Sequence, residues 1–415
     1  MASSIPVPPT PGDSEARPPR LSLFELFAKF LGFGLLAFGG PAAQIAMLKR
    51  ELVEGEGWIS PQRFNRLLAV MQVLPGPEAH ELCVHLGMRA RGRWGGLLAG
   101  LGFMLPGFVL MMALAWLYFR IDFDRGWLAA ALFGVQAAVI ALIVQAVEKI
   151  GRHALTDIWL WGIGAACAAA ALSGVPFWIT LPAAGLVYAA ARGGRIWWAA
   201  GSAVLALAAG VWAAQVAGGT PPPAFTGGAP DAPGEVAVLL LFLSGLKAGL
   251  LTFGGAYTAI PFLRTDMVGR GWLGDGAFLD GLALSGVLPA PLIIFSTFVG
   301  YVAGGPLGAL AITAGIFLPA FAFSMIFYDR LETVVDDERL KSALEGVAAG
   351  VTGLIAVTAA QLGWGLLSSV DPTWSGRGLG IAIGMASLVV FFRWKSPFAA
   401  PVVLAAAGAL AVLAT

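Results

Sequence analysis

Apolar runs of about twenty residues recur from one end of the chain to the other, each near the length that crosses a hydrocarbon core. They fall near 22–38, 64–88, 94–119, 127–147, 157–173, 177–191, 195–217, 236–253, 278–302, 306–328, 343–368, 378–392 and 397–414. The pattern predicts an all-α polytopic membrane protein. Several runs are short or interrupted, so about nine to thirteen full crossings fit it. Residues 1–20 are rich in Pro and Ser and contain no apolar run. They predict a disordered cytoplasmic tail rather than a signal peptide.

The runs carry one long signature twice, about 214 residues apart. Phe38-Gly39-Gly40, Trp58, Leu74-Pro75, Pro77, Gly95, Gly102 and Leu105-Pro106 form the first copy. Phe253-Gly254-Gly255, Trp272, Leu288-Pro289, Pro291, Gly308, Gly315 and Leu318-Pro319 answer in the same order. Each half reads as six segments, over 21–194 and 236–415, with an extra crossing at 195–217 and a Gly/Pro-rich linker at 218–235 between them. An even repeat plus one extra crossing inverts the second half relative to the first, as in known transporters. Lys and Arg concentrate in cytoplasmic loops, and their distribution puts the N-terminus in the cytoplasm and the linker outside. That orientation holds whether the first two segments of each half cross or re-enter, so charge does not choose between the two.

Composition agrees with a membrane protein: 58% of residues are hydrophobic and 12% charged, against roughly a quarter charged in soluble domains. The lipid bilayer is thus an implied partner. A net charge of +1 without a concentrated basic surface argues against nucleic acid. Cys83 and Cys167 lie inside apolar runs, where each reads as a small packing residue.

Within each copy, glycine and proline break an apolar run at bilayer depth. Gly39-Gly40-Pro41 stops one helix and presets the next, and Gly254-Gly255 holds the equivalent place. Pro75-Gly76-Pro77 and Pro289-Ala290-Pro291 form a second pair of breaks, with a helix expected to restart at the second proline. A helix starting at such a break offers unpaired N–H groups and the positive end of its dipole, a site for an anion. The alternative is a packing kink without a ligand. Gln44 and Tyr257, just beyond the glycine breaks, complete the candidate binding set.

Ionisable residues follow only the first Pro-x-Pro break. Glu78, Glu81 and His85 share one helix face. They are candidates for proton coupling, with capping acids near water as the other reading. Pairing with a cation such as Lys29 is also open to the two acids. In the second half, 292–295 are apolar until Ser296. Lys247, inside an apolar run, is a candidate for attracting an anion. Lys49 and Arg264, at matching positions after the breaks, form either a solvated face or a cationic ring that draws anions. His80 and His85 stand five apart, one too many for a helical zinc pair. No metal, cofactor or catalytic residue is expected, and three histidines give little material for an intramembrane enzyme. Gly92, Gly95, Gly96, Gly100 and Gly102, with Gly304, Gly305, Gly308 and Gly315, read as packing glycines.

With these residues in hand, the chain resembles the chromate ion transporter (CHR) family in its long, two-domain form. The resemblance rests on Phe38-Gly39-Gly40-Pro41, Gly57-Trp58, Leu74-Pro75-Gly76-Pro77 and Leu105-Pro106, and on Thr252-Phe253-Gly254-Gly255, Gly271-Trp272, Phe278-Leu279-Asp280 and Leu318-Pro319. It covers residues 24–410. It implies a bacterial inner-membrane carrier that exports chromate, with sulfate as a chemical look-alike, and so confers resistance. The expected mechanism is a secondary transporter for a tetrahedral dianion held by backbone N–H groups, coupled to protons or to anion exchange. A sulfate or other oxyanion carrier, working as exchanger or importer, is the main rival. Pro289-Ala290-Pro291 departs from the family-like Pro-Gly-Pro, and its added methyl bears on selectivity. A homodimer is allowed, and nothing in the sequence establishes it.

Overall fold

The computed structural model describes residues 18–71, 76–121, 126–195, 233–253, 255–326, 338–369 and 374–414, with residues 197, 201, 205 and 210. Pro75, Gly254, the tail up to residue 17, nearly all of the extra crossing expected at 195–217, and the linker up to 232 lie outside them. The described residues are helical throughout, without a strand. In chain order the first repeat holds α1 (Leu23–Leu35), α2 (Gly40–Leu48) running into a π-helical turn (Lys49–Gly55), α3 (Pro61–Met71), α4 (Glu78–Tyr118), α5 (Gly126–Ala154), α6 (Ile158–Leu172) and α7 (Phe177–Arg192). The second holds α8 (Val238–Leu250), a 3-10 turn (Ala256–Thr258) leading into α9 (Ala259–Met267), and α10 (Asp275–Val287). After it come a second 3-10 turn (Leu292–Ile294), α11 (Phe295–Ile326), α12 (Glu338–Ser369), α13 (Trp374–Arg393) and α14 (Ala399–Ala414).

Straight, α4 would be roughly 60 Å long at 1.5 Å per residue, about twice a hydrocarbon core. It is not straight. Arg91 (φ −143°, ψ 31°) and Gly92 (φ 62°, ψ −155°) reverse the chain, so 78–90 lies back against 93–118. A Cβ on Gly87 would sit 2.4 Å from the Gly95 carbonyl oxygen. The same reversal occurs in α11 at Gly304 (φ −156°, ψ 25°) and Gly305 (φ 63°, ψ −160°), where a Cβ on Gly300 would meet the Gly308 carbonyl oxygen at 2.7 Å. Gly92 and Gly305 are therefore turn residues and not, as their company in the sequence implied, packing residues. Nothing lies within 4 Å of a Cβ built on either. What they supply is a backbone conformation closed to other residues.

The apolar runs at 64–88 and 278–302 are likewise not single helices. Each divides at its Pro-x-Pro motif into two short arms: α3 with 78–90, and α10 with 295–303. The arms fold together, since a Cβ on Gly281 would lie 2.6 Å from the Phe298 ring and the Phe278 and Phe295 rings stand 5.6 Å apart. The glycine breaks also sit at hairpin tips. Lys29 on α1 pairs with Glu56 beyond the π turn, and Lys247 on α8 pairs with Asp266 on α9.

Contacts repeat between the halves with their spacing kept. Gly34 faces the Phe103 carbonyl and Gly249 faces that of Ile316 (Cβ distances 2.5 and 2.4 Å); Gly102 faces the Phe27 carbonyl and Gly315 that of Phe242 (2.8 and 2.3 Å). These glycines do act in packing, letting backbones approach where any side chain would intrude. The terminal helices of each half pack on the other half: α6 and α7 on α12, and α13 and α14 on α5. Leucines and tryptophans point outward, among them Trp94, Leu105, Trp161 and Leu310, while polar side chains such as Glu81 and Gln44 are buried. Such a surface suits lipid rather than water. Five helices or helix pairs are long and apolar enough to cross a membrane.

The turn glycines give a clean test of the hairpin arms. Gly92→Ala and Gly305→Ala meet open space, so each should cost only backbone strain, on the order of 1–3 kcal/mol. Thermal unfolding of the detergent-solubilised protein should show similar losses for both; unchanged melting in either would argue against the reversal at that position.

Candidate functional site

The four hairpin tips converge. In the first half, Gly39 (φ 86°) precedes α2 and Pro41 occupies its first turn. Its counterpart Gly255 (φ 117°) precedes the 3-10 turn that carries Tyr257. A Cβ on Gly40 would lie 3.8 Å from the Tyr257 hydroxyl, which brings the two glycine tips face to face. Gln44, buried on α2, donates from Nε2 to the Ala37 carbonyl (2.9 Å) and to the Ala290 carbonyl of the opposite Pro-x-Pro tip (3.2 Å). The first Pro-x-Pro tip makes the converse bond: Gly76 N–H donates to the Thr252 carbonyl at 2.8 Å. Ala37 and Thr252 are equivalent positions, so each half's glycine tip is tied by its last carbonyl.

The departure at Ala290 has a steric account. A Cβ on Gly107 would lie 2.4 Å from the Ala290 Cβ, and one on Gly76 would lie 3.1 Å from the Ala320 Cβ. Gly107 and Ala320 correspond between the halves, as do Gly76 and Ala290. Each contact thus holds one methyl, supplied from opposite sides. Pro77 and Pro291 are buried and sit at the starts of their helical arms, where the sequence placed the restarts. Pro289 is half-buried, as are Gly40 and Pro41, whereas Gly39 is exposed. The first glycine tip is therefore left partly open.

The arm restarting at Pro77 carries Glu78 and Glu81 in its first turn. Glu81 is fully buried, and neither carboxyl oxygen has a hydrogen-bond partner among the described residues. A Cβ on Gly76 would lie 2.5 Å from Glu81 Oε1, so this carboxyl group packs on the tip backbone. Glu78 and His85 are also buried, with Lys149 and His153 facing Glu78, and Arg63 and Arg89 facing His85. His80 lies edge-on to the Phe317 and Phe321 rings, at 4.9 and 4.7 Å. The matching arm of the second half offers hydroxyls instead of carboxyls: Ser296, buried without a partner among the described residues, and Thr297, 2.8 Å from the Thr313 hydroxyl.

The cations expected to attract an anion are mostly engaged. Lys247 Nζ stands 2.5 Å from Asp266 Oδ1. Arg264 grips Asp275 with Nε at 2.7 Å and Nη2 at 3.3 Å, and donates from Nη1 to Gln361 at 2.5 Å. Lys49 is half-buried, on the π turn. Lys29 is held by Glu56 and is not a partner of Glu78 or Glu81. Burial opposes the charge of Glu56, but hydrogen bonds from Lys29 and Trp58 outweigh it and hold the carboxyl below the usual carboxylate range. The groups open to an anion are therefore mainly the helix starts at the tips, whose first-turn N–H groups have no intrahelical acceptor.

A second polar cluster centres on Asp280, which the sequence marks only as part of the Phe278-Leu279-Asp280 motif and without a role. Asp280 accepts from the Tyr118 hydroxyl at 2.6 Å and from Gln136 Nε2 at 2.5 Å, all three buried. Lone polar residues inside apolar runs were the available signal, the same one that exposed Glu81.

The methyl exchange across the tips yields a reciprocal prediction. Gly107→Ala should overpack the tip by about 1–3 kcal/mol and lower both yield and transport. Adding Ala290→Gly should restore much of each. A double variant no better than Gly107→Ala alone would contradict the contact.

Comparison with known proteins follows the same repeat. The model of the chromate transporter family matches residues 24–217 and again 239–412. The chromate transport protein of Pseudomonas aeruginosa is 60% identical over 96% of this chain and 94% of its own length. That of Cupriavidus metallidurans is 29% identical over 100% and 98%, and a probable chromate transport protein of Synechococcus elongatus is 28% identical over 95% and 96%. No solved structure matches the chain. A family signature matched twice, over the two halves whose tips meet here, leaves one conclusion: the chain belongs to the chromate transporter family.

Proposed function

We propose that this protein is a secondary transporter that moves chromate out of the bacterial cytoplasm across the inner membrane and so gives chromate resistance. The observation that carries the reading is the meeting of four helix-break tips from two related halves. Backbone N–H groups held in a low-dielectric interior suit a tetrahedral dianion, whose two charges need compensation there. The membrane potential supports the outward direction. Moving one charge through 100 mV is worth about 2.3 kcal/mol, so a dianion gains about 4.6 kcal/mol on leaving a cell that is negative inside.

In this reading the repeats 21–194 and 236–415 are inverted, joined by a crossing over 195–217 and an external linker at 218–235, with the N-terminus in the cytoplasm. The arms 78–90 and 295–303 are too short to span roughly 30 Å. They and the glycine-tipped hairpins enter from opposite faces and stop at mid-membrane, while 93–118, α5 to α7, 306–326 and α12 to α14 cross. The substrate lies among Gly39, Gly40, Pro41, Gln44, Gly76, Pro77, Gly255, Tyr257, Pro289, Ala290 and Pro291; Pro75 and Gly254, the remaining members of the set, lie outside the described residues. Lys49, Lys247 and Arg264 shape the potential at the mouths, and proton coupling falls to one of the candidates Glu78, Glu81 and His85.

Inside-out vesicles test this directly. With an imposed inside-positive potential they should accumulate labelled chromate, and excess sulfate should reduce uptake only if the site takes both anions. Gly39→Leu and Gln44→Ala should each lower the flux at least about tenfold at normal protein levels, a loss of about 1.4 kcal/mol or more in transition-state binding. Flux equal to that of vesicles lacking the protein would refute chromate transport. Normal flux in both variants would refute the site.

A further inference from the structure

We infer that Glu81 binds a proton together with the anion, so that anion and proton travel in the same direction. This rests on the anion site proposed above. The carboxyl group of Glu81 packs on Gly76 at the Pro-x-Pro tip, and Gly76 in turn donates to the last carbonyl before the opposite glycine tip. It therefore stands where two of the four tips join. Both of its oxygens are buried without a partner among the described residues. A negative carboxylate and a dianion at one junction would compete for the same helix starts and repel each other. A neutral carboxyl group does neither, and it can donate a hydrogen bond to the anion.

The surroundings decide which group carries the proton. On the same arm stand Glu78, His80 and His85, all buried. Lys149 and His153 of α5 face Glu78, while Arg63 of α3 and Arg89 face His85. The described neighbours from α11 are Phe317 and Phe321 against His80 and Ala320 against Gly76, and they bring no charge. Glu78 thus has Lys149 to offset its charge, whereas the charged neighbour of Glu81 among the described residues is Glu78. The second half has no carboxyl group at the matching place, so one proton accompanies each anion. A dianion that leaves with one proton carries out one net charge, and the membrane potential still drives it outward.

Coupling of opposite sign is equally easy to recognise. An exchanger that sends protons in as the anion leaves needs proton and anion to exclude each other, and a carboxyl group beside an anion site does the reverse.

The test is calorimetry of chromate binding to the full-length purified protein, in buffers of different ionisation enthalpy. Over a pH series, uptake should rise to about one proton per chromate in the range where Glu81 of the free protein has lost its proton, and over that same range affinity should weaken about tenfold per pH unit. Glu81→Gln should bind chromate with no proton uptake and a flat pH dependence; Glu78→Gln should keep the uptake. Proton release, or no uptake at any pH of the series up to the most alkaline at which the wild type stays folded, would overturn the inference, as would uptake unchanged in Glu81→Gln or lost in Glu78→Gln. If Glu81→Gln is not recovered folded, the wild type and Glu78→Gln decide by the same criteria. Absence of any chromate binding would instead count against the proposed function itself.

Discussion

A backbone that breaks inside lipid has no water to bond its freed N–H and C=O groups, so the protein itself must take them. Everything distinctive about this molecule follows from meeting that demand four times. Each break is placed at the tip of a helical hairpin, and each tip is covered by the other half. Gln44 reaches across to Ala290, Gly76 reaches across to Thr252, and Tyr257 faces Gly40. The halves also share their outer helices, since α6 and α7 pack on α12 and α13 and α14 pack on α5. Exchanging the terminal helices interlocks the repeats around the site they share.

Symmetry and its breaking have different causes here. Contacts between backbones keep close register, as at Gly34 and Gly249 or Gly102 and Gly315, because a misplaced Cβ would meet a carbonyl oxygen at under 3 Å. Each tip contact likewise has room for a single methyl, from Ala320 in one case and Ala290 in the other, with a second Cβ falling 3.1 and 2.4 Å from it. Charge does not follow the repeat. The first half carries buried Glu78, Glu81 and His85 on the arm that restarts at its Pro-x-Pro tip, whereas the second half has no acid on the matching arm and ties Lys247 to Asp266 and Arg264 to Asp275. Duplicated backbone with unequal chemistry suits a carrier that must treat its two faces differently.

Much of this was legible in the chain because glycine and proline report on backbone directly. The breaks at Gly39-Gly40 and Pro75-Gly76-Pro77, their repetition, and the helix restarts at Pro77 and Pro291 could all be read before any coordinates. Hydropathy could not resolve the short arms, since an apolar run looks the same whether it crosses once or doubles back at a Pro-x-Pro motif. Gly92 and Gly305, between those runs and the next, look in the sequence like the packing glycines beside them, because a positive φ leaves no mark on the pattern. Side-chain partners over long separations were also hidden. Nothing local joins Gln44 to Ala290, Arg264 to Gln361, or Tyr118 to Asp280, and Lys29 could not be assigned to Glu56 without the fold.

The central claim is that one anion is held where the four tips meet. Anomalous diffraction at the chromium absorption edge, from crystals grown with chromate, locates the metal atom without reference to the protein chain. The account predicts a single strong peak enclosed by Gly40, Gly76, Tyr257 and Ala290. A peak confined to the mouths of the protein, beside Lys49 or Arg264, or to one half alone, would contradict it.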